Sequence, residues 1–139
     1  MEMFLAFSLV LFIFAWLANF LDAYYSTATA SPVFFQEKGI ASGLARLANT
    51  ACVTNMSITT TLPCVFAGAN PISSYDINAS GNPAAIWVHA TASSAAPASA
   101  RVLCSASGAF PIQCTGTTAG EACIRIYNGS VKITQGACP

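Results

Sequence analysis

Charged residues are scarce in this sequence. They make up 7% of its 139 residues, whereas ordinary soluble domains carry about a quarter, and this argues against an ordinary cytosolic protein. Five basic and five acidic residues cancel to a net charge of zero. The chain therefore has no basic stripe that could neutralise phosphates, and we expect no direct binding of nucleic acid.

Residues that perform catalysis or hold metals are also sparse. His89 is the only histidine and there is no C-x-x-C pair, so the spacing of a zinc site is absent. The G-x-S-x-G, H-E-x-x-H and phosphate-loop motifs are missing as well. Beyond Glu2, the carboxylates are scattered along the chain, at Asp22, Glu37, Asp76 and Glu121. We expect neither an enzyme nor a cofactor.

Cysteine is absent from the first fifty residues, and six cysteines lie in the rest of the chain. They are Cys52, Cys64, Cys104, Cys114, Cys123 and Cys138. An even number in one short segment favours disulfides made in an oxidising compartment over buried free thiols. Sequence alone does not choose among the possible pairings.

An apolar run occupies residues 3–21, where only Ser8 and Asn19 are polar. At about 1.5 Å per residue, a helix of this length spans the core of a bilayer. The run fits a secretory signal, with an A-x-A site at 28–30, a membrane anchor, or a helix buried among identical helices in a filament. No basic residue precedes Lys38, although signals and anchors usually carry flanking basic residues. A basic leader removed before assembly would explain that absence.

The helix is expected to continue well past the apolar run. Pro32 should kink or locally melt it, and an amphipathic half should follow at 33–49. Apolar residues there recur at spacings near three and four, with Arg46 on the other side. They are Val33, Phe34, Ile40, Leu44, Leu47 and Ala48. We therefore predict one long helix over residues 1–49.

Residues 50–139 predict an extracellular, disulfide-bonded β domain, which gives an α+β fold with a small antiparallel sheet or sandwich. Short runs rich in Val, Ile and Thr alternate with turn residues. The predicted strands are 53–61, 64–67, 74–78, 85–90, 101–106, 111–114, 122–127 and 131–135. Residues 91–99 read as an exposed loop.

Asn128-Gly129 between two alternating runs predicts a two-residue hairpin turn. The inner face of that hairpin should hold Ile124, Ile126, Val131 and Ile133, with Arg125 and Lys132 pointing outward. Three N-x-S sequons begin at Asn55, Asn78 and Asn128 and are candidate N-glycosylation sites. For Asn128, the turn itself is the simpler explanation.

Glu2, an apolar helix, a proline-interrupted amphipathic helix and a cysteine-bearing β domain follow one another in this order. The order resembles that of type IV pilins, and most of all the archaeal ones. The resemblance covers the helix, and the F-T-L-I-E opening of bacterial pilins is absent. It implies removal of a leader peptide, passage through the membrane and packing of the helices in a filament core, where a glutamate near the mature end sets subunit register. Glu2 matches that glutamate.

From these observations we expect a structural subunit of an extracellular helical filament that assembles with copies of itself. Its core contacts should come from one group of side chains, namely Glu2, Phe4, Phe7, Leu11, Phe14, Leu17 and Leu21. The alternative is a membrane-anchored, disulfide-rich binding or adhesion module on the cell surface.

Overall fold

One long helix, α1, occupies Glu2–Thr54. The structure is a computed structural model that describes residues 2–81, 83–91, 93 and 95–139, without the side chains of residues 2 and 25–31. The 53 residues of α1 extend for about 80 Å at the standard rise. Pro32 lies inside the helix, which remains helical on both sides of it. The predicted local melting is therefore not found, and both the kink and the domain boundary at residue 50 stay predictions.

The helix ends at an asparagine in the left-handed conformation. Asn55 has φ 55°, and its N–H donates to the Ala51 carbonyl oxygen at 2.8 Å, as in a common C-terminal cap. The strand predicted at 53–61 is wrong at its start, because Val53 is still helical and the first strand begins at Ile58. Local β-propensity is a weak guide where a packed helix continues through the segment.

Nine strands follow α1 in the described part of the chain. They are β1 Ile58–Pro63, β2 Phe66–Ala67, β3 Asn70–Pro71, β4 Ser74–Gly81, β5 Ala84–Ala90, β6 Ala98–Val102, β7 Ala106–Gln113, β8 Thr118–Tyr127 and β9 Ser130–Gln135. Seven of them form one sheet in the order β1-β8-β9-β7-β4-β5-β6, and β2 pairs with β3. The α+β class is confirmed.

The sheet is not a simple antiparallel sandwich, because β7 and β9 run parallel. Ala106 is paired with Val131, and Ser107 with Lys132. The sheet is therefore mixed, and it curls so that strands near both of its edges, among them β1 and β6, contact α1. The strand predicted at 101–106 is divided, since β6 ends at Val102 and β7 begins at Ala106.

The hairpin prediction is confirmed. Tyr127 pairs with Ser130 across a two-residue turn, and both Asn128 (φ 49°) and Gly129 (φ 76°) have the positive φ of a type I′ turn. The inner residues Ile124, Val131 and Ile133 are buried and Ile126 is half-buried, whereas Lys132 is exposed and Arg125 half-buried. Of the loop predicted at 91–99, Ala95 is buried and the last two residues belong to β6, while residues 92 and 94 lie outside the described part.

The core lies between the inner face of the sheet and residues 33–51 of α1. Buried positions alternate along β4 and β5, so only one face of these strands is covered. The core includes Val33, Ile40, Leu44 and Ala48 from the helix and Tyr75, Ile77, Ile86, Val88 and Ile112 from the sheet. Phe34 departs from the predicted amphipathic face, because its side chain is exposed.

Candidate assembly surface

The apolar half of α1 is uncovered on every side. Among the described residues, one stretch, Met3–Tyr24, is long and apolar enough to cross a membrane, by length and composition alone. None of its most apolar window is buried within the chain. Two of its polar side chains bond to the helix itself, because Ser8 Oγ donates to the Leu5 carbonyl (3.0 Å) and Asn19 Nδ2 donates to that of Ala15 (2.8 Å). Such local bonding lowers the cost of placing these two side chains in an apolar environment.

The exposed apolar surface is too large for a water-soluble monomer. A helix of 22 residues is about 33 Å long and about 10 Å across, so its side wall presents about 1,000 Å². The largest apolar patch on a soluble monomer is typically about 300–600 Å². A surface of this size favours an apolar environment around the helix, either a membrane or other protein.

The predicted core contacts all lie on this exposed helix. The exposed fractions are 84% for Phe4, 65% for Phe7, 54% for Leu11, 67% for Phe14, 43% for Leu17 and 45% for Leu21. The side chain of Glu2 lies outside the described residues, as do those of the A-x-A site at 28–30. Within the chain nothing distinguishes the predicted contact residues from their neighbours, since other apolar side chains, such as Phe12 and Trp16, are equally exposed.

The same helix is fastened to the β domain by polar contacts on two sides. The Phe66 N–H donates to Gln36 Oε1, and Gln36 Nε2 donates to the Phe66 carbonyl oxygen, both at 2.8 Å. On the other side, Lys38 donates to the Ser99 carbonyl, and the Leu103 N–H donates to Asn49 Oδ1 at 2.8 Å. These contacts hold α1 between β2 and the β6 edge of the sheet.

A buried carboxylate lies where α1 enters the domain. Glu37 is fully buried, and its Oε1 accepts a hydrogen bond from the Ala90 N–H at 2.6 Å. His89 Nδ1 lies 4.0 Å from the same oxygen. Among the described residues, neither Glu37 Oε2 nor His89 Nδ1 has a hydrogen-bond partner. Burial raises the pKa of the Glu37 carboxyl above its ordinary value, more than Ala90 and His89 lower it.

In the sequence, Glu37 is one of several scattered acidic residues. The signal that was available is its helical phase, because it stands four residues after Val33, three before Ile40 and seven before Leu44, all of which are buried. A carboxyl group on the buried face of a helix must be paired or neutral. This spacing could therefore have identified Glu37 as a buried acid.

All six cysteines pair, which confirms the expected disulfides. The bridges are Cys52–Cys104, Cys64–Cys114 and Cys123–Cys138. The first joins the end of α1 to the segment between β6 and β7, the second joins the segments that follow β1 and β7, and the third ties the C-terminal residues to β8. Disulfides of this number indicate an oxidising, extracytoplasmic environment.

The three sequon asparagines are exposed but sit in different backbone settings. Asn55 and Asn128 have positive φ in a helix cap and a hairpin turn, so each has a structural role of its own. Asn78 lies in β4, paired with Trp87 on one side and Ala109 on the other. Glycosylation at these positions stays a prediction.

Across the described residues, no group of three or more His, Cys, Asp or Glu side chains is arranged to hold a metal ion. Comparisons of the chain with protein-family models, with curated proteins and with solved structures found no match.

Proposed function

We propose that this protein is a structural subunit of an extracellular helical filament of the type IV pilus kind. Its apolar helix packs with copies of itself along the filament axis, and its β domains form the outer layer. The membrane holds the helix before assembly. The protein's partner in this proposal is its own copy, and no reaction is catalysed.

The observation that carries the proposal is the continuity of α1. The segment Met3–Tyr24, uncovered on every side, belongs to the same helix whose residues 33–51 form part of the core of the β domain. A subunit built in this way holds its apolar segment at a fixed position relative to its domain. That relation suits repeated packing in a filament, whereas a membrane tether functions equally well through a flexible linker.

The order of elements supports a pilin-like subunit in particular. An acidic residue next to an apolar helix, a proline within the helix and a disulfide-bonded β domain after it are the features on which the resemblance to archaeal type IV pilins stands. Glu2 is the residue that would set register between subunits, by pairing with a cation such as an α-amino group of a neighbour, because an unpaired carboxylate in an apolar core is costly.

Shearing of cells into detergent-free buffer, followed by electron microscopy of the supernatant, tests the proposal. We expect fibres of micrometre length that contain the chain. Glu2→Ala should reduce the yield of fibres without unfolding the β domain, and Glu121→Ala, which removes an exposed acid on β8, serves as its control. Normal fibre yield from Glu2→Ala would remove Glu2 from the mechanism.

The second candidate is a membrane-anchored binding module on the cell surface, which the length and composition of Met3–Tyr24 also fit. It predicts that the chain needs detergent for extraction and remains a small particle after shearing. A sheared supernatant without fibres, together with quantitative recovery of the chain in detergent micelles, would favour this function over the filament.

A further inference from the structure

A groove runs along α1 on the side that faces the edge of the sheet. Its volume is about 370 Å³, and its wall on the helix side includes Gly39, Gly43 and Leu47. The opposite wall includes Leu62 and Pro63 of β1, a strand at one end of the seven-stranded order. The groove is thus an apolar slot between a helix and a sheet edge, open to the outside of the subunit.

Two glycines keep this slot open. Gly39 and Gly43 are exposed, and a Cβ built at either position meets no other atom within 4 Å. The fold of the subunit therefore does not require glycine there, and glycine within a helix lowers its stability relative to alanine. Small residues four apart are the pattern that lets a second helix approach a helix backbone closely.

The slot lies in line with one side of the apolar helix, the side that carries Phe7. Phe7 and Gly43 are 36 residues apart, which is about ten turns at 3.6 residues per turn, so along a regular helix they project to the same side. Leu11 and Phe14 lie within about 40° of that line by the same spacing. A neighbour that packs along this face of the apolar half is thereby directed toward the glycine slot.

We propose that the groove beside Gly39 and Gly43 receives the apolar helix of a second copy of this chain, an inference that rests on the proposed filament function. The apolar chemistry and the length of the slot indicate this occupant. The slot is apolar, about three helical turns long from Gln36 to Leu47, and the described part of this chain carries an uncovered apolar helix that needs such a partner.

The test fills the slot without disturbing the subunit. Gly43→Leu is expected to raise the thermal midpoint of the detergent-solubilised full chain by about 2–4 °C, because leucine favours helix over glycine. The same substitution should lower the yield of sheared fibres at least tenfold. Arg46→Leu adds the same side chain at an exposed position of the helix that does not line the groove, and its fibre yield should stay normal.

Cross-linking identifies the occupant. Gly39→Cys subunits mixed with Ala18→Cys subunits should form mixed disulfide dimers within fibres, which corresponds to copies staggered by about 30 Å along the helix. Dimers formed only between two Gly39→Cys subunits would mean that one groove faces another, and this would overturn the proposal. If Gly43→Leu lowers the thermal midpoint, Gly43→Ala is tested in its place. Its fibre yield should then be lower than that of the unaltered chain and of Arg46→Leu.

The outcomes separate the two proposals. Fibres from the unaltered chain and equal fibres from Gly43→Leu would overturn the groove inference and leave the filament function standing. Unchanged fibre yield with reduced incorporation of Gly43→Leu into phosphatidylglycerol vesicles would assign the slot to lipid and also overturn it. No fibres from the unaltered chain would remove the filament function itself.

Discussion

Glu37→Gln tests whether the buried carboxylate destabilises or stabilises the fold. The substitution keeps the shape of the side chain and the acceptor for the Ala90 N–H, and it removes the charge. In the ionised wild-type side chain, Oε2 is buried without a hydrogen-bond partner among the described residues. An unsatisfied buried polar group costs about 1–3 kcal/mol, and more when it is charged. Glutamine leaves an uncharged amide at the same place, so only the extra cost of the charge is recovered, and the expected gain of Glu37→Gln at pH 8 is about 1 kcal/mol.

The dependence of the free energy of unfolding on pH shows whether the ionised Glu37 carboxyl stabilises or destabilises the fold. Because burial raises the pKa of Glu37, the stability it confers is fully present below the pKa of about 4.5 that the group has when unfolded and is lost as the pH rises through its folded pKa. The wild-type free energy of unfolding should consequently fall relative to that of Glu37→Gln as the pH rises above about 4.5. The difference between the two proteins should shrink as the pH is lowered toward that value.

Urea unfolding of the full chain in mild detergent, followed by Trp87 fluorescence, measures this difference. A Trp16→Phe background removes the second tryptophan, which lies in the apolar helix. The variant His89→Asn, made with and without Glu37→Gln, removes the imidazole so that the remaining pH dependence belongs to the carboxyl. Glu121→Gln removes the same charge at an exposed position, and it should alter the free energy of unfolding by less than about 0.5 kcal/mol.

A variant Glu37→Gln that is less stable than wild type by more than about 1 kcal/mol at pH 8 would refute this reasoning. The Glu37 carboxylate would then stabilise the fold through contacts that the amide of glutamine does not reproduce.

Two further variants test how the domain is held together. Replacing both Cys52 and Cys104 by alanine should cost about 4 kcal/mol by urea unfolding, since their separation of 52 residues makes a large loop whose closure restricts the unfolded chain; a cost below about 1 kcal/mol would contradict that account. Gly108→Ala should lower stability by at least about 3 kcal/mol or prevent folding, because the new Cβ would overlap the Ile133 carbonyl at φ 135°; a normal thermal melt would contradict the close approach of β7 and β9.

The parts of the fold that depend on neighbouring residues could be predicted from the sequence. Asn128-Gly129 specifies its turn because both residues tolerate positive φ, and the alternation on each side then fixes the register of β8 and β9. The apolar helix could also be predicted, because its apolar residues cover every face of the helix.

The parallel pairing of β7 with β9 could not be predicted in this way. Ala106 and Val131 meet across 25 residues of chain, and no short pattern records which distant strand a given strand will join. The same holds for the end of α1, where Val53 and Thr54 have strand-like side chains but are held helical next to the Cys52–Cys104 bridge. The groove could not be predicted either, because its second wall comes from β1, which follows α1 in the sequence and meets it only in the folded chain.

Under the proposed filament function, α1 serves folding and assembly with different parts of one element. Residues 33–51 supply the core on one side and leave Gly39 and Gly43 open on another, whereas the most apolar window of Met3–Tyr24 is not buried within the described chain. The filament proposal therefore predicts that substitutions on the buried face of residues 33–51 act on assembly through the stability of the domain. It predicts that substitutions in the apolar half or in the groove act on assembly while the domain stays folded. A loss of fibres can then be assigned to contacts between copies only where the domain of the variant is shown to be folded.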